Sequence, residues 1–356
     1  MGDDIKGREM VRVGIVGIGF MGWIHWLAYQ RVPGVQVVAI CETIPERLMG
    51  DWTKIKGNFG PAGERVDLTG IHAYDDLAKM LADPQIDMVD VCLPPAAHAQ
   101  AVIAALDAGK NVFCEKPIAL DPHDAGRMVE AAQRNAKILQ IGHVLPFFPA
   151  FKFLYDAVQD GRYGQFLGAH FKRITSEPFW IPRFYDQNVA GGPMLDLHVH
   201  DAHFIRVIAG MPKAVRTIGR MRGDVAELFS TQFTFADSPV FITAACGNIL
   251  QQGRPFTAAF EAYFEKATLC NQFAGLNGVD PVVVPLTVIR DDGTVERPDL
   301  GESDDISPFA AEITEVVRAV GVGRASPILD GVLAKDALKL CAYETLSLRR
   351  GETYSL

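Results

Sequence analysis

In the first 143 residues, short apolar runs alternate with longer segments whose apolar positions recur at helical spacing. Apolar runs bounded by Gly, Pro and charged residues are typical of strands buried on both faces of a parallel sheet. Six such strands are predicted, at residues 11–16, 35–41, 71–73, 86–93, 111–115 and 137–142. Helices are predicted between them at 75–82, 96–108 and 122–135, with another starting at Pro45. The alternation predicts an α/β domain with a doubly wound parallel sheet over residues 1–143.

Beyond about residue 150, strand follows strand. The predicted strands cover residues 165–175, 214–221, 226–235, 240–249, 256–263, 267–273 and 286–290. This order predicts an α+β domain with a large, mainly antiparallel sheet over residues 144–335. A helix at 191–209 is expected to cover one face, and the open face is expected to pair with its copy in a homodimer or homotetramer. Amphipathic helices are predicted at 308–320 and 331–349, and the segment 336–356 is expected to pack back on the first domain.

A glycine motif follows the first strand directly, in the sequence VRVGIVGIGFMG. Gly17 permits a tight turn, Gly19 lets the backbone approach a pyrophosphate, and Gly22 lets the helix pack closely on the strand. The helix N-terminus then points at the phosphates. Strand, glycine turn and helix together predict a dinucleotide-binding Rossmann domain.

An acidic residue, Glu42, ends the second strand. A carboxylate at this position accepts hydrogen bonds from the ribose hydroxyls of the adenosine and repels a 2′-phosphate. NAD is therefore predicted as the cofactor in preference to NADP.

Composition removes several other classes of function. The net charge of −9, without a cluster of Lys and Arg, argues against nucleic acid as a partner. The six cysteines are scattered and form no CxxC pair, which indicates buried apolar positions in a reducing compartment. No apolar run approaches the length of a membrane span and the N-terminus has no signal sequence, so a cytoplasmic location is expected.

Two stretches carry the candidate chemistry. Lys116 comes directly after the fifth strand and before Pro117, which would place it in the ligand crevice at the carboxyl edge of the sheet. In GGPMLDLHVHDAH, Asp196 and His200 are four residues apart and share one face of the predicted helix, where the carboxylate can orient the imidazole as a general base. Zinc binding by these residues is an alternative, as is a helix with surface histidines, but the spacing is not HExxH and no metal is predicted.

The chain resembles the glucose–fructose oxidoreductase, inositol dehydrogenase and MocA family of two-domain NAD(P)-dependent oxidoreductases. The resemblance spans nearly the whole chain. It rests on VGIVGIGFMG, DMVDVCLPPAAHAQAVIAALDAGKNVFCEKPIAL, IGHVLPFFPAF, GGPMLDLHVHD and DALKLCAYETLSLRRGE.

The resemblance implies a catalytic set of Lys116, Asp196 and His200. His200 would take the hydroxyl proton as hydride leaves for the nicotinamide, Lys116 would stabilise the developing alkoxide, and Asp196 would orient His200 or bind a neighbouring hydroxyl. The cofactor site predicted from the motifs comprises Gly17, Gly19, Phe20, Met21, Gly22, Glu42, Pro94, Pro95, His98, Glu115 and Lys116.

The substrate side is less defined. Trp180, Arg183 and Tyr185 precede the catalytic helix, where an aromatic ring can stack on a sugar and an arginine can meet a carboxylate or hydroxyls, unless these are packing residues on a loop. His143, at the end of the sixth strand, and His198 are further candidates. Neither His198 nor the loop at 51–70 has a role that the family assigns.

Three functions are consistent with these features. The first is an NAD-dependent dehydrogenase of a sugar, cyclitol or related polyol. The second is a glycoside hydrolase that retains NAD and acts by transient oxidation and elimination. The third, a dinucleotide-binding sensor, is disfavoured because a sensor needs no proton-transfer set.

Overall fold

The computed structural model describes residues 10–236 and 238–356, which form two compact units. Unit 1 comprises residues up to Phe147 together with Glu302–Lys335, and unit 2 comprises Phe148–Gly301 together with Asp336–Leu356. In the described part of the chain, no helix is both long enough and apolar enough to cross a membrane.

The predicted Rossmann sheet is confirmed in unit 1. Its six parallel strands lie in the order β3-β2-β1-β4-β5-β6, with the crossover between β1 and β4 that creates a ligand crevice in doubly wound sheets. The strands are β1 (Val11–Val16), β2 (Val35–Cys41), β3 (His72–Tyr74), β4 (Met88–Val91), β5 (Asn111–Glu115) and β6 (Leu139–Gly142). The helices that follow them are α1 (Phe20–Tyr29), α2 (Pro45–Leu48), α3 (Leu77–Leu81), α4 (Pro95–Asp107) and α5 (Pro122–Arg134).

Unit 2 contains the predicted second sheet, which has nine strands in the order β14-β13-β12-β11-β7-β10-β9-β8-β15. All neighbouring pairs are antiparallel except β7 with β10. The strands are β7 (Phe166–Ser176), β8 (Ala214–Arg222), β9 (Val225–Thr234), β10 (Phe241–Ile249), β11 (Thr257–Phe264), β12 (Ala267–Ala274), β13 (Val282–Arg290), β14 (Val295–Glu296) and β15 (Tyr354–Ser355). Its helices are α6 (Pro149–Asp160) and α7 (Val199–Ala209), and α7 is preceded by a π-helical turn, Met194–His198.

The segment between α2 and β3, predicted as a surface loop, is anchored by an aromatic side chain. Trp52 is fully buried and packs edge to face on Trp23 and Trp26 of α1, with ring centroids 5.8 and 5.1 Å away. The indole N–H of Trp23 donates to the carbonyl oxygen of Pro61 at 3.0 Å. Because α1 is apolar nearly all round, it needs such a cover on its outer side.

The last two helices are α8 (Ser307–Val322) and α9 (Gly331–Arg350). Helix α8 belongs to unit 1, where Phe309 and Ile313 join the same apolar core as Trp23. Residues 336–356 belong to unit 2, and their packing against the Rossmann domain stays a prediction. Within unit 2, the hydroxyl of Ser347 accepts the backbone N–H of Thr217 at 2.9 Å, and β15 pairs with β8.

Candidate active site

The three glycines of the first turn differ in what they do for the protein itself. Gly17 has a φ of +88°, and a Cβ there would lie 2.9 Å from the carbonyl oxygen of Cys92. A Cβ on Gly22 would lie 2.2 Å from the carbonyl oxygen of Gly17. Around Gly19, by contrast, no described residue comes within 4 Å of an added Cβ. Packing within the protein therefore requires Gly17 and Gly22, while Gly19 keeps a space open.

Phe20 and Met21 begin α1 directly after this space. Both side chains are partly exposed, and the ring of Phe20 contacts that of Phe59 edge to face at 4.8 Å. The unpaired backbone N–H groups at the start of α1 make this turn suited to a phosphate.

The Glu42 carboxylate is largely buried and is held by the backbone around it. One oxygen accepts the N–H groups of Thr43 (2.6 Å) and Ile44 (3.1 Å), and the other accepts the N–H of Ile18 (3.0 Å) and lies 3.3 Å from the Arg47 guanidinium. Burial alone would raise the pKa of Glu42, but these donors outweigh it and hold the pKa below its usual value. Glu42 is therefore an anion that ties the glycine turn to the end of β2.

His98 connects the turns after β4 and β5. Its two ring nitrogens lie 2.8 Å from the carbonyl oxygen of Leu93 and 2.9 Å from that of Pro117, and burial lowers its pKa. Pro94 and Pro95 form the N-terminus of α4 beside it. His98 has no exposed surface, so it acts from the interior of the protein, where its two contacts hold the backbone of both turns.

Lys116 is partly exposed at the carboxyl end of β5, and its peptide bond to Pro117 is cis. Its backbone N–H donates to the carboxylate of Glu115 at 3.1 Å. The other oxygen of Glu115 lies 3.0 Å from Nε2 of His25, whose Nδ1 lies 2.8 Å from Asp90. Glu115 is thus part of a buried network beneath the Lys116 turn.

This network, which we call the His25 cluster, consists of His25, Asp90, Cys92 and Glu115, and the buried carboxyl group of Glu312 lies close to it. Ligand atoms of its first three members lie within 4.8 Å of one another, close enough for a metal ion. Burial by itself lowers the pKa of His25, but the Asp90 carboxylate more than offsets this and the pKa lies well above 6.5; burial raises the pKa of the Cys92 thiol to about 12. A protonated imidazole and a protonated thiol are hydrogen-bond donors, so the arrangement fits an ion cluster better than a metal site.

In unit 2, two glycines with positive φ, Gly191 (+70°) and Gly192 (+63°), lead into the π-helical turn. From the sequence, Asp196 and His200 are predicted to lie on a regular α-helix. In the structure the backbone N–H of Val199 donates to the carbonyl oxygen of Met194, five residues back, which is the hydrogen-bond spacing of a π-helix. The turn that carries Asp196 and precedes His200 on α7 is therefore wider than an α turn. Both side chains are partly exposed, as groups that meet a substrate must be. Wide turns of this kind are frequent at functional sites.

His198, a candidate for substrate contact, is fully buried. Its Nε2 lies 2.8 Å from the carboxylate of Glu344 on α9. His143, the other histidine candidate, has no exposed surface either, and its backbone N–H donates to Ile141 at 2.7 Å. Without accessible surface, neither ring lines a pocket in this structure.

The segment before the π-helical turn borders an open cavity of about 490 Å³ within unit 2. Arg183 and Tyr185 line this cavity, and Arg183, with a φ of +55°, is paired with Asp186. The Tyr185 hydroxyl donates to Asn248 at 3.2 Å, and the Arg222 guanidinium lies 3.9 Å above its ring. Burial raises the pKa of Tyr185 to about 12, so it remains a neutral donor. Trp180 is 67% exposed, an unusual position for a large aromatic side chain.

Several buried ionisable residues in both units were not predicted from the sequence. The sequence contains one feature that could have indicated them, namely an ionisable residue within an otherwise apolar strand or helix. It applies to His25 in FMGWIHWLAY, Asp90 in MVDV and Glu312 in α8. Their partners come from distant parts of the chain, which this feature does not reveal.

Two models of one protein family match most of the chain. Residues 11–143 match the model described as "Oxidoreductase family, NAD-binding Rossmann fold", and residues 151–270 match the "GFO/IDH/MocA C-terminal domain". Fold and glycine turn thus define a two-domain protein with an NAD(P)-binding Rossmann domain. The chain belongs to the Gfo/Idh/MocA oxidoreductase family, which confirms the resemblance seen in the motifs.

Individual relatives agree with this assignment. The chain is 33% identical over 201 residues to myo-inositol 2-dehydrogenase of Thermotoga maritima, which covers 56% of this chain and 55% of that protein. It is 32% identical over 180 residues to inositol 2-dehydrogenase of Salmonella typhimurium, covering 49% of each. The chain thus spans about half the length of the curated relatives it matches.

Solved structures share the fold along the whole chain. Levoglucosan dehydrogenase in complex with NADH and L-sorbose superimposes with a TM-score of 0.79 at 18% identity, covering 98% of this chain and 99% of that one. Apo scyllo-inositol dehydrogenase from Lactobacillus casei has a TM-score of 0.73 at 20% identity, with 98% of each chain covered.

Proposed function

We propose that the protein is an NAD-dependent dehydrogenase that oxidises a hydroxyl group of a sugar, cyclitol or related polyol. The observation that carries the proposal is the glycine turn. Gly19 is unnecessary for packing among the described residues, so its missing side chain is best explained by a ligand that approaches the backbone there. We propose a dinucleotide pyrophosphate as that ligand, with Phe20, Met21, Pro94 and Pro95 around it.

NAD is the proposed dinucleotide in preference to NADP. The lowered pKa of Glu42 keeps a full negative charge at the end of β2, and the Arg47 guanidinium is paired with it. A 2′-phosphate at this position would be repelled by the carboxylate. The levoglucosan dehydrogenase of the same fold was solved with NADH.

The chemistry is assigned to Lys116, Asp196 and His200. In alcohol oxidation, hydride leaves the carbinol carbon for C4 of the nicotinamide and the hydroxyl loses its proton. His200 is the proposed general base, Asp196 orients its imidazole or binds an adjacent hydroxyl, and the ammonium of Lys116 stabilises the alkoxide that develops. The partial exposure of all three side chains is consistent with these roles.

The substrate class follows from the relatives. The relatives named above act on inositols, and the structural neighbour was solved with L-sorbose. Tyr185 and Arg183, which line the cavity of unit 2, are the proposed contacts to hydroxyl groups, and the exposed ring of Trp180 is the proposed stacking surface. No specific observation favours the hydrolase over the dehydrogenase.

The assignment of the catalytic set is tested with Lys116→Ala and His200→Asn, assayed for NADH formation with a polyol that the wild type oxidises. Both variants should lose at least a hundredfold in kcat, while their affinity for NADH stays within about threefold. Lys79→Ala and His123→Asn serve as controls of the same residue types, because both side chains are exposed on the surface of the Rossmann unit. Turnover that survives in either catalytic variant would refute the assigned role.

We also propose that the open face of the nine-stranded sheet binds a second copy of the chain. Phe241, Tyr263 and His170 form an aromatic group on three neighbouring strands of this face, with the Phe241 and Tyr263 rings stacked at 5.7 Å. Phe241 is 43% exposed and Ile218, further along the face, is 62% exposed. A self-complementary apolar patch of this kind is typical of homodimers.

A further inference from the structure

The π-helical turn carries Asp196 and leads into α7, whose second residue is His200. It packs on buried polar groups that have no part in the chemistry proposed above. His198 faces Glu344 of α9 at 2.8 Å, and both side chains are fully buried. The same Glu344 oxygen accepts the hydroxyl of Thr231 of β9 at 2.6 Å. Thr231 in turn is 2.9 Å from the hydroxyl of Thr217 of β8. A continuous polar chain thus runs from the sheet through Glu344 to the π-helical turn.

The backbone of the turn is held at two further points. The carbonyl oxygen of Pro193 lies 3.9 Å from the Cys246 sulfur, and that of Met194 lies 3.6 Å from the Cys341 sulfur. Such contacts matter because a π turn disrupts the regular ladder of helical hydrogen bonds. The ring of His198 is also enclosed by aromatic side chains, with Phe229 edge to face at 5.3 Å.

The contact between His198 and Glu344 is a buried ion pair. Burial alone lowers the pKa of His198, but the carboxylate of Glu344 raises it above the usual 6.5, which supports a charged imidazole against a charged carboxylate. A buried charge pair tolerates little displacement, because moving either member leaves the other uncompensated in an apolar site. The pair therefore fixes the backbone at residue 198, between the two proposed catalytic side chains at 196 and 200.

We propose that His198 and Glu344 are positioning residues that hold the π-helical turn in the register that presents Asp196 and His200 to the substrate. The proposal rests on the proposed function of those two residues. A displacement of about 1 Å in a catalytic group can cost a hundredfold in rate. Since His198 and Glu344 have no exposed surface, their replacement should affect kcat and leave cofactor affinity unchanged.

Two replacements of Glu344 distinguish a role in positioning the π-helical turn from a role in the folding of the whole protein. Glu344→Leu removes the ion pair with His198 and the hydrogen bond from Thr231 while keeping a similar volume. Glu344→Gln keeps an oxygen that can accept from both His198 and Thr231. Asp336→Asn is the matched control, since Asp336 pairs with Arg206 at 3.0 Å and so links the same two helices, α7 and α9, away from the turn.

The first readout is hydrogen–deuterium exchange of the backbone amides of residues 194–201 in the protein with both units present, which needs no substrate. We expect exchange at least tenfold faster in Glu344→Leu, close to wild type in Glu344→Gln, and unchanged in Asp336→Asn. Unchanged exchange in Glu344→Leu would overturn the proposal. If Glu344→Leu does not fold, Thr231→Val takes its place, because it removes one hydroxyl at nearly constant volume. Thr231→Val should also exchange faster than wild type in this segment. An exchange rate equal to that of wild type in Thr231→Val would overturn the proposal as well.

The second readout is kcat with the substrate of the wild type. Glu344→Leu should lower kcat ten- to hundredfold with KM for NAD within threefold, and Glu344→Gln should restore kcat to within a few-fold of wild type. If Glu344→Leu is fully active while His200→Asn is inactive, the positioning role of His198 and Glu344 is refuted and the proposed function stands. If His200→Asn is fully active, the proposed function of His200 as the general base is refuted instead.

Discussion

Replacing the buried carboxyl group of Glu312 with an apolar side chain should stabilise the protein. Glu312 lies on α8 with no exposed surface, and its two carboxyl oxygens have no hydrogen-bond partner among the residues that the structure describes. A buried polar group without a partner costs about 1–3 kcal/mol. Leucine has a similar volume and no polar atom, so Glu312→Leu should recover most of this cost.

The effect should depend on pH, and its sign follows from the direction of the pKa shift. Burial is the largest cause that raises the pKa of Glu312 well above 4.5, and the negative charge of Glu115 adds to it. Above pH 4.5 the unfolded chain releases this proton while the folded protein keeps it, so the unfolded state gains about 1.4 kcal/mol per pH unit until the raised pKa is reached. At pH 4.5 Glu312 therefore carries only the cost of the unpaired neutral group, about 1–3 kcal/mol, and this cost grows progressively towards neutral pH.

The assay is urea and thermal unfolding without NAD at pH 5 and pH 7.5, with wild type, Glu312→Leu and Glu312→Gln. The leucine variant should be more stable than wild type by about 1–3 kcal/mol at pH 5 and by more at pH 7.5. Each kcal/mol corresponds to about 2–4 °C in Tm for a domain of 150–250 residues. In Glu312→Gln the contribution of residue 312 to the free energy of unfolding should no longer depend on pH, because an amide does not titrate. The variant should still carry the cost of an unpaired buried polar group. A leucine variant less stable than wild type, or a difference equal at both pH values, would show that the carboxylate is charged and compensated.

Three further predictions concern the cofactor turn and the sheet face. Gly19→Ala should weaken NADH binding at least tenfold in a titration while Tm stays within about 2 °C, whereas Gly22→Ala, which would place a Cβ against Gly17, should lower Tm markedly; equal losses of Tm would contradict the assigned roles. Glu42→Ala should free Arg47 and shift the ratio of kcat/KM towards NADP, and a ratio unchanged from wild type would count against Glu42 as the selective residue. Phe241→Glu should lower the molar mass measured by light scattering to that of a monomer, and an unchanged mass would move the interface to another surface.

The sequence identified the fold and the cofactor turn because both depend on local patterns. Buried parallel strands appear as apolar runs, and the positive φ of Gly17 and the close contact at Gly22 leave no residue but glycine. The family motifs then placed Lys116, Asp196 and His200, whose roles stay predictions until variants are measured.

The remainder depends on contacts between distant segments. The spacing of Asp196 and His200 suits an α-helix, and the residue that pairs with the π-helical turn at His198, Glu344, lies about 150 residues away in the chain. In the same way, nothing local indicates that Trp52 covers α1. His198 appeared available for substrate because its burial depends on α9 and on the aromatic side chains of β9.

The most direct test of the proposed dehydrogenase is NADH absorbance, recorded with the wild-type protein, NAD and a panel of sugars, cyclitols and sugar acids. A parallel panel of aryl glycosides is read without added cofactor. The account predicts NADH formation with at least one polyol, stoichiometric with the ketone or lactone product, and no release of aglycone. Release of aglycone without accumulation of NADH would contradict it and assign the chain to the hydrolases.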